Sequence, residues 1–373
     1  MSALFSILMF ILVFTILVFV HELGHFWVAR RNNIRIDVFS IGFGPEIFGW
    51  TDGSGTRWKI SWIPLGGYVK FFGDENAASM PGDAVDELTD EEKEVSFHHK
   101  SLARRAAVVA AGPISNLLFA IIVFAGMFAI VGQPFLAAQV KNIAPDSAAE
   151  SAGFVAGDLI VRIGDEEIKR FEDVKDIVDD SPGRTLDIFV LRDGAEVKLT
   201  AVPDIVRYTD NFGKPHEGGR LGIEAEGYEI RERGPLEAVW YGTAETGRYI
   251  KLILRYLGQI IVGTRSAEEL GGPLMIAKMS GQAAEAGPGN LIVFVALLSI
   301  NLGLLNLFPI PMLDGGHLLF YAFEGIRGKP LGERAQEYGV RIGLAAVLTL
   351  TVFVTWQDLL KLKVFNYFSD LFS

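Results

Sequence analysis

His21 and His25, with Glu22 directly after the first, form the run His-Glu-Leu-Gly-His. On a helix, residues four apart lie about 40° from one another around the axis, so both imidazoles can point at one metal ion. The carboxylate beside the first histidine is then placed to take a proton from a water that the metal activates. This is the spacing of the H-E-x-x-H zinc hydrolases, and its mechanics require a helix. The preceding residues supply one. Ser2–Val20 runs for nineteen residues without a charge, ~28 Å as a helix and close to the hydrocarbon thickness of a bilayer. Ionisable groups at the end of such a segment are costly to bury and mark function. The plainer reading is a solvated histidine pair at a membrane boundary with a chance glutamate between.

Two histidines leave a zinc site one protein ligand short. The chain has no cysteine, which removes thiolate ligands and any disulfide framework. His98 and His99 sit in a polar stretch and His216 in a glycine-rich one. Asp314 is the better candidate. It ends a stretch from Ala286 to Leu313 without a charge, and a cation is the most economical partner for a carboxylate there. Pro309 and Pro311 break the helix ahead of it, freeing backbone groups that only a protein-lined cavity can satisfy. The plainer reading is an aspartate that marks the membrane boundary. His317, one turn beyond, reads as an interfacial histidine, with a supporting place beside the metal as the alternative.

The elements that must carry these residues are membrane helices. Half of the 373 residues are hydrophobic and 21% are charged. Four apolar stretches stand out: Ser2 to about Ala29, Arg105 to Lys141, Ala286 to Leu313, and Arg341 to Asp358. The fourth has only sixteen uncharged residues and needs its flanks to snorkel or the bilayer to thin. The first is not a signal peptide, since it lacks a basic leading region and cleavage would discard the metal motif. Arg30, Arg31 and Arg35 follow the first span, Arg104 and Arg105 precede the second, and Arg327, Lys329, Arg334 and Arg341 lie between the third and fourth. By the positive-inside rule both connections are cytoplasmic. Both termini and the long segment between the second and third spans then face outward, and the motif lies near the inner face. The acidic run Asp83, Asp86, Glu87, Asp90, Glu91, Glu92 and Glu94 reads as a solvated loop. A net charge of -11 argues against nucleic acid as a partner.

These residues together carry a resemblance. His21–His25 and Asn306–Gly315 are similar to the two signature motifs of the site-2 protease family of intramembrane zinc metalloproteases. Ala111-Gly112-Pro113-Ile114-Ser115-Asn116, Pro64–Lys70 and Gly271-Gly272-Pro273 extend the match over nearly the whole chain, in the order of the bacterial regulator-of-sigma-E group. The enteric members of that group carry two tandem PDZ domains, whereas this chain has room for one. The resemblance implies a zinc endopeptidase with one Zn2+ per chain, held by His21, His25 and Asp314. Glu22 would be the general base and then the acid to the leaving amine. Asn306 would orient substrate or donate to the oxyanion, or else cap the broken helix. The implied substrates are single-span proteins already shortened outside by a site-1 protease, such as anti-sigma factors, with signal-peptide remnants as a further class. The implied partner is the bilayer of the bacterial inner membrane.

The long outward segment resembles a bacterial PDZ domain. Ala138–Ala144 reads as a strand, 145–153 as a short helix, and Leu159–Ile163 as a strand. A helix near Phe171–Asp180 and a hairpin Leu186–Leu191/Glu196–Ala201 about Arg192-Asp193-Gly194 follow. Such a domain captures extended peptides by adding a strand; an inert spacer is the alternative. Residues 236–270 read as an amphipathic helix, on the outer membrane surface or packed on the domain. Trp58–Phe72 alternates about Pro64 and Gly66-Gly67 and reads as a hairpin, which the resemblance makes a membrane-associated element beside the active site. The expected fold class is thus a polytopic α-helical membrane protein of about four transmembrane helices, with a membrane-associated β-hairpin and an inserted extracytoplasmic PDZ-like α+β domain. In order, the segments are the first span (1–30), a cytoplasmic and re-entrant β region (31–103), the second span (104–133) and the PDZ-like domain (134–205). A C-terminal continuation with the amphipathic helix (206–285), the third span (286–316), a cytoplasmic loop (317–340), the fourth span (341–358) and a tail (359–373) follow. Two other classes compete with this one: an ion-coupled transporter, which wants polar residues along several spans, and an inactive PDZ scaffold, which should lack Glu22 or a ligand.

Overall fold

The computed structural model describes residues 3–74, 88–209, 215–263, 266–267, 271–329 and 331–362. Asp83, Asp86 and Glu87 of the acidic run and the tail from 363 lie outside them. Two compact units result, 1–127 with 235–373, and 128–234.

The first unit opens with α1 (Ala3–Arg31). Asn33, at φ +53°, ends it in the left-handed conformation, and the Ile34 N–H returns to the Ala29 carbonyl at 3.0 Å. Two long strands follow, β1 (Ile36–Thr51) and β2 (Arg57–Phe71). This corrects the expected hairpin. Trp58–Phe72 belongs to one strand, and the turn lies at Asp52–Thr56, where the Asp52 carboxylate accepts from the N–H groups of Ser54 and Thr56. Residues 38–41 of β1 lie between 57–60 and 67–70 of β2, so each strand folds back and the first half of β1 is central. Pro64 falls where the register shifts and no ladder donor is required. A short α2 (Asp90–Val95), with a Thr89–Glu92 capping box, leads to α3 (Leu102–Ile130).

The second unit holds β3 (Gln133–Phe135), β4 (Val140–Ile143), α4 (Ala148–Ser151), β5 (Leu159–Ile163), β6 (Glu166–Glu167), α5 (Phe171–Asp179), β7 (Leu186–Arg192), β8 (Ala195–Ala201), β9 (Asp204–Thr209), β10 (Pro215–Arg220), β11 (Ile223–Ala225) and β12 (Glu229–Arg231). One sheet runs β6-β5-β7-β8. Ile160, Val174, Ile188 and Val190 fill its core without solvent access beyond 2%. Asp193 and Gly194, at φ +50° and +82°, make the tight β7–β8 turn expected from the sequence. Residues beyond 205 complete the unit: β11 pairs with β4 and β12 with β3. The buried Asp158 receives a two-pronged fork from Arg192, at 2.7 and 2.8 Å. Burial alone pushes this carboxyl up; the Arg192 fork and the Val155 N–H outweigh it and hold it below the usual range.

The chain returns to the first unit with α6 (Pro235–Val262), α7 (Pro273–Glu285), α8 (Pro288–Leu307), α9 (Asp314–Arg327) and α10 (Glu333–Lys361). Among the described residues, four helices are long and apolar enough to cross a membrane: α1, α3, α8 and α10. α6 packs on α3 through Gly242, where a Cβ would lie 2.9 Å from the Ile121 carbonyl. Asp358, without solvent exposure, caps α7 by accepting from the Gly272 and Met275 N–H groups at 2.9 and 3.0 Å. Where the sequence suggested a loop from 317, α9 continues to Arg327 and ends on Gly328 in the left-handed conformation.

Candidate active site

His21 and His25 occupy consecutive turns of α1, both 9% exposed. α9 begins at Asp314 and brings its carboxylate to them. His21 Nε2 lies 3.1 Å from Asp314 Oδ2, His25 Nε2 lies 3.5 Å from Oδ1, and the two Nε2 atoms are 3.2 Å apart. One ligand atom from each residue falls within 4.8 Å of the others. Two imidazole nitrogens and a carboxylate oxygen match the donor set of an open, three-ligand zinc site.

The break between α8 and α9 makes this possible. After Leu307 the chain turns through 308–313, and α9 starts against that turn. A Cβ on Gly315 would lie 2.1 Å from the Phe308 carbonyl oxygen, and one on Gly316 2.4 Å from that of Ile310. Met312 takes φ +84°, a conformation that costs a non-glycine residue about 1–3 kcal/mol and persists only where its surroundings impose it.

α3 builds the other wall. Gly24 lets α1 approach it: a Cβ there would lie 2.4 Å from the Ala111 carbonyl oxygen. Gly112 leaves the space that the histidines use, since its Cβ would stand 2.2 Å from His25 Nε2 and 2.9 Å from His21 Cε1. Pro113, inside α3, lacks the N–H that would bond the Val109 carbonyl. The adjacent Val108 carbonyl accepts from His25 Nδ1–H at 2.9 Å. This bond leaves the Nε2 lone pair facing Asp314 and the metal position, the orientation zinc-bound histidines require.

A cavity of about 250 Å³ opens on the cluster, lined also by Glu22, Gly67, Tyr68, Val69, Asn306, Met312 and His317. The Val69 N–H donates to the Glu22 carboxylate, so this side of β2 faces the cavity rather than β1. Asn306, in the last turn of α8, lines the cavity, while the helix C-cap is Phe308. His317 lines it as well, one turn along α9 from Asp314. His98 and His99 are not among the residues lining this cavity. His98 bonds the buried Asp74 at 2.8 Å and His99 faces the Ser96 hydroxyl at 3.2 Å; the side chain of His216 lies outside the described residues.

Residues 9–350 match peptidase family M50. The chain belongs to peptidase family M50. A protein of Rhizobium meliloti named for zinc-metalloprotease activity is 47% identical over 95% of this chain and 96% of its own length. Metalloprotease MmpA of Caulobacter vibrioides is 36% identical over 97% of each chain. The regulator of sigma-E protease RseP of Escherichia coli is 32% identical over the full length of both, in an alignment of 475 residues against the 373 of this M50 peptidase, so RseP carries insertions. For the M50 chain, the sequence brought forward His21, Glu22, His25 and Asp314, and the family resemblance added Asn306; all five line one cavity. Spacing passed over the contributions of Val69, Val108 and Gly112. The Ala-Gly-Pro-Ile-Ser-Asn run was visible only as a family pattern, because a glycine that makes room has no chemistry of its own.

Proposed function

We propose that this M50 peptidase hydrolyses peptide bonds in or near the transmembrane segments of single-span membrane proteins, with His21, His25 and Asp314 holding one zinc ion and Glu22 carrying the proton. As a member of the family the chain is a membrane zinc metalloprotease. The observation that carries the residue assignment is the convergence of three ligand atoms within 4.8 Å, from two helices far apart in sequence, beside a glutamate on the same cavity wall.

Bound zinc supplies Lewis acidity, making water a nucleophile near neutral pH and polarising the scissile carbonyl. Glu22 takes the proton from the attacking water and delivers it to the leaving amine nitrogen. The Val69 N–H holds its carboxylate in place, and a Cβ on Gly67 would stand 3.2 Å from Glu22 Cγ, so the strand fits closely over the base. A substrate helix hides its carbonyls in its own hydrogen bonds and must unwind before attack. The side of β2 that faces the cavity offers backbone groups to pair with the unwound segment. Asn306 orients the substrate or donates to the developing oxyanion. Substrates shortened beforehand on the outer face, of the anti-sigma-factor type, fit a site near the inner face of the bacterial inner membrane with residues 134–205 and both termini outside.

The test is metal content set against cleavage for the purified full-length chain. Glu22→Gln should retain one zinc and lose cleavage of a transmembrane reporter, whereas His21→Ala and Asp314→Ala should lose both. Full zinc occupancy in both ligand variants would overturn the assignment.

A further inference from the structure

The two histidines present Nε2 to the same point, yet only His25 has its other nitrogen settled by a backbone carbonyl. Against His21 Nδ1 lies the side-chain amide of Asn116, at 3.2 Å. Asn116 has no solvent exposure, and it is held from behind. Its main-chain carbonyl accepts from the Ser299 hydroxyl of α8 at 2.8 Å, and a Cβ on Gly303 would lie 3.2 Å from Asn116 Cβ. The side chain is therefore confined against His21, and its remaining freedom is to turn the amide over.

The two amide orientations have opposite consequences. With Nδ2 toward the ring, Nδ1 accepts, so neutral His21 carries its proton on Nε2. It then donates to Asp314 at 3.1 Å, and no lone pair is left for a metal. Asn116 Oδ1 is then buried without a partner, which is costly for a polar atom. With Oδ1 toward the ring, it accepts from Nδ1–H and Nε2 is free to bind zinc. An asparagine buried here with its oxygen orphaned in the first pose is a poor packing residue, because an apolar side chain of the same size would fill the space without that cost. Its retention needs another reason, and the ring it touches supplies one.

We infer that Asn116 is a positioning residue for the metal centre: its amide oxygen selects the His21 tautomer that ligates zinc, as the Val108 carbonyl does for His25. α3 then serves both ligands, with room from Gly112, the Val108 carbonyl for His25, and the Asn116 amide, one turn beyond Gly112, for His21. The inference rests on His21 being a ligand, the reading proposed above.

The test measures zinc affinity by competition with a chromophoric chelator, on full-length protein in detergent, together with the melting temperature of the chelator-stripped chain. Asn116→Leu should weaken zinc binding about 10–100-fold, the usual effect of losing a group that orients a metal ligand, with an unchanged or higher melting temperature in the stripped protein. Asn116→Asp, an acceptor in either orientation, should stay within a few-fold of the wild type. Wild-type affinity in Asn116→Leu would overturn the inference. So would a fall in affinity that Asn116→Asp shares in full, or one accompanied by a lower melting temperature in the stripped protein. His21→Ala separates the two levels: if it keeps zinc, the ligand assignment itself fails, whereas zinc loss there beside wild-type affinity in Asn116→Leu overturns only the role of Asn116.

Discussion

Adding one methyl group to α3, as Gly112→Ala, should disable the metal centre without altering any polar group. The new Cβ would stand 2.2 Å from His25 Nε2, 2.6 Å from its Cε1 and 2.9 Å from His21 Cε1. Ordinary contact needs about 3.5 Å, so the His25 ring must retreat by more than roughly 1 Å. Its Nδ1 is held at 2.9 Å by the Val108 carbonyl on the same helix, which opposes the retreat. Metal sites hold ligand distances within about 0.2 Å, and a ~1 Å misplacement near the chemistry costs about 10²-fold in rate. Zinc affinity should therefore fall at least 10-fold and kcat/KM by about 100-fold, at a stability cost of about 1–3 kcal/mol for overpacking. Gly126→Ala is the matched control: it lies on the same helix, and its Cβ would meet nothing within 4 Å. The assay compares chelator competition and cleavage of a transmembrane reporter for both variants in detergent, with thermal unfolding to verify the fold. Gly112→Ala with wild-type zinc affinity and turnover would refute the cradle.

Three further outcomes are expected. With no native cysteine as background, Ser79→Cys and Gly328→Cys should resist an impermeant thiol reagent in intact cells while Asp193→Cys is labelled; outside labelling at position 79 would invert the orientation. If the second unit acts on which substrates enter rather than on the chemistry, replacing residues 133–231 by a short linker should leave cleavage of a pre-trimmed substrate intact and admit some untrimmed substrate, because none of the residues gathered at the metal cluster comes from that unit; a folded, zinc-loaded deletion that cleaves neither form defeats this role. The Asp158 carboxyl is held below its ordinary range, so its stabilisation is complete above the unfolded value of about 3.9 and is lost as pH falls through the lower folded value. Arg192→Ala should therefore lower the melting temperature more at pH 7 than at pH 3, and an equal loss at both would show that the pair adds nothing pH-dependent.

The chemistry of this protein was legible in one dimension because its constraints are local or compositional. Two histidines four apart need only a helix, and an uncharged run of bilayer length can be little else. An aspartate ending a second such run, after two prolines, announces a partner without saying where that partner lies. Tertiary structure decided how those pieces meet. That Asp314 opens a new helix folded back on 308–313, that β1 lies between the two halves of β2, and that the turn sits at Asp52–Thr56 all depend on pairings across many residues. A period-two pattern about Pro64 and two glycines looks like a hairpin from within its own window, because only the partner strand reveals that the bend there is a shift of register. The sheets of the second unit closed with β11 and β12, whose three-residue strands have no periodicity to read and gain their definition from β4 and β3 about 80 to 100 residues earlier. The support of the metal centre was the least legible part. Gly112 acts by being small, Val69 and Val108 through their backbones, and Asn116 faces a ring 95 residues away. None of these contributions belongs to a residue type at a spacing, so only the folded chain could assign them.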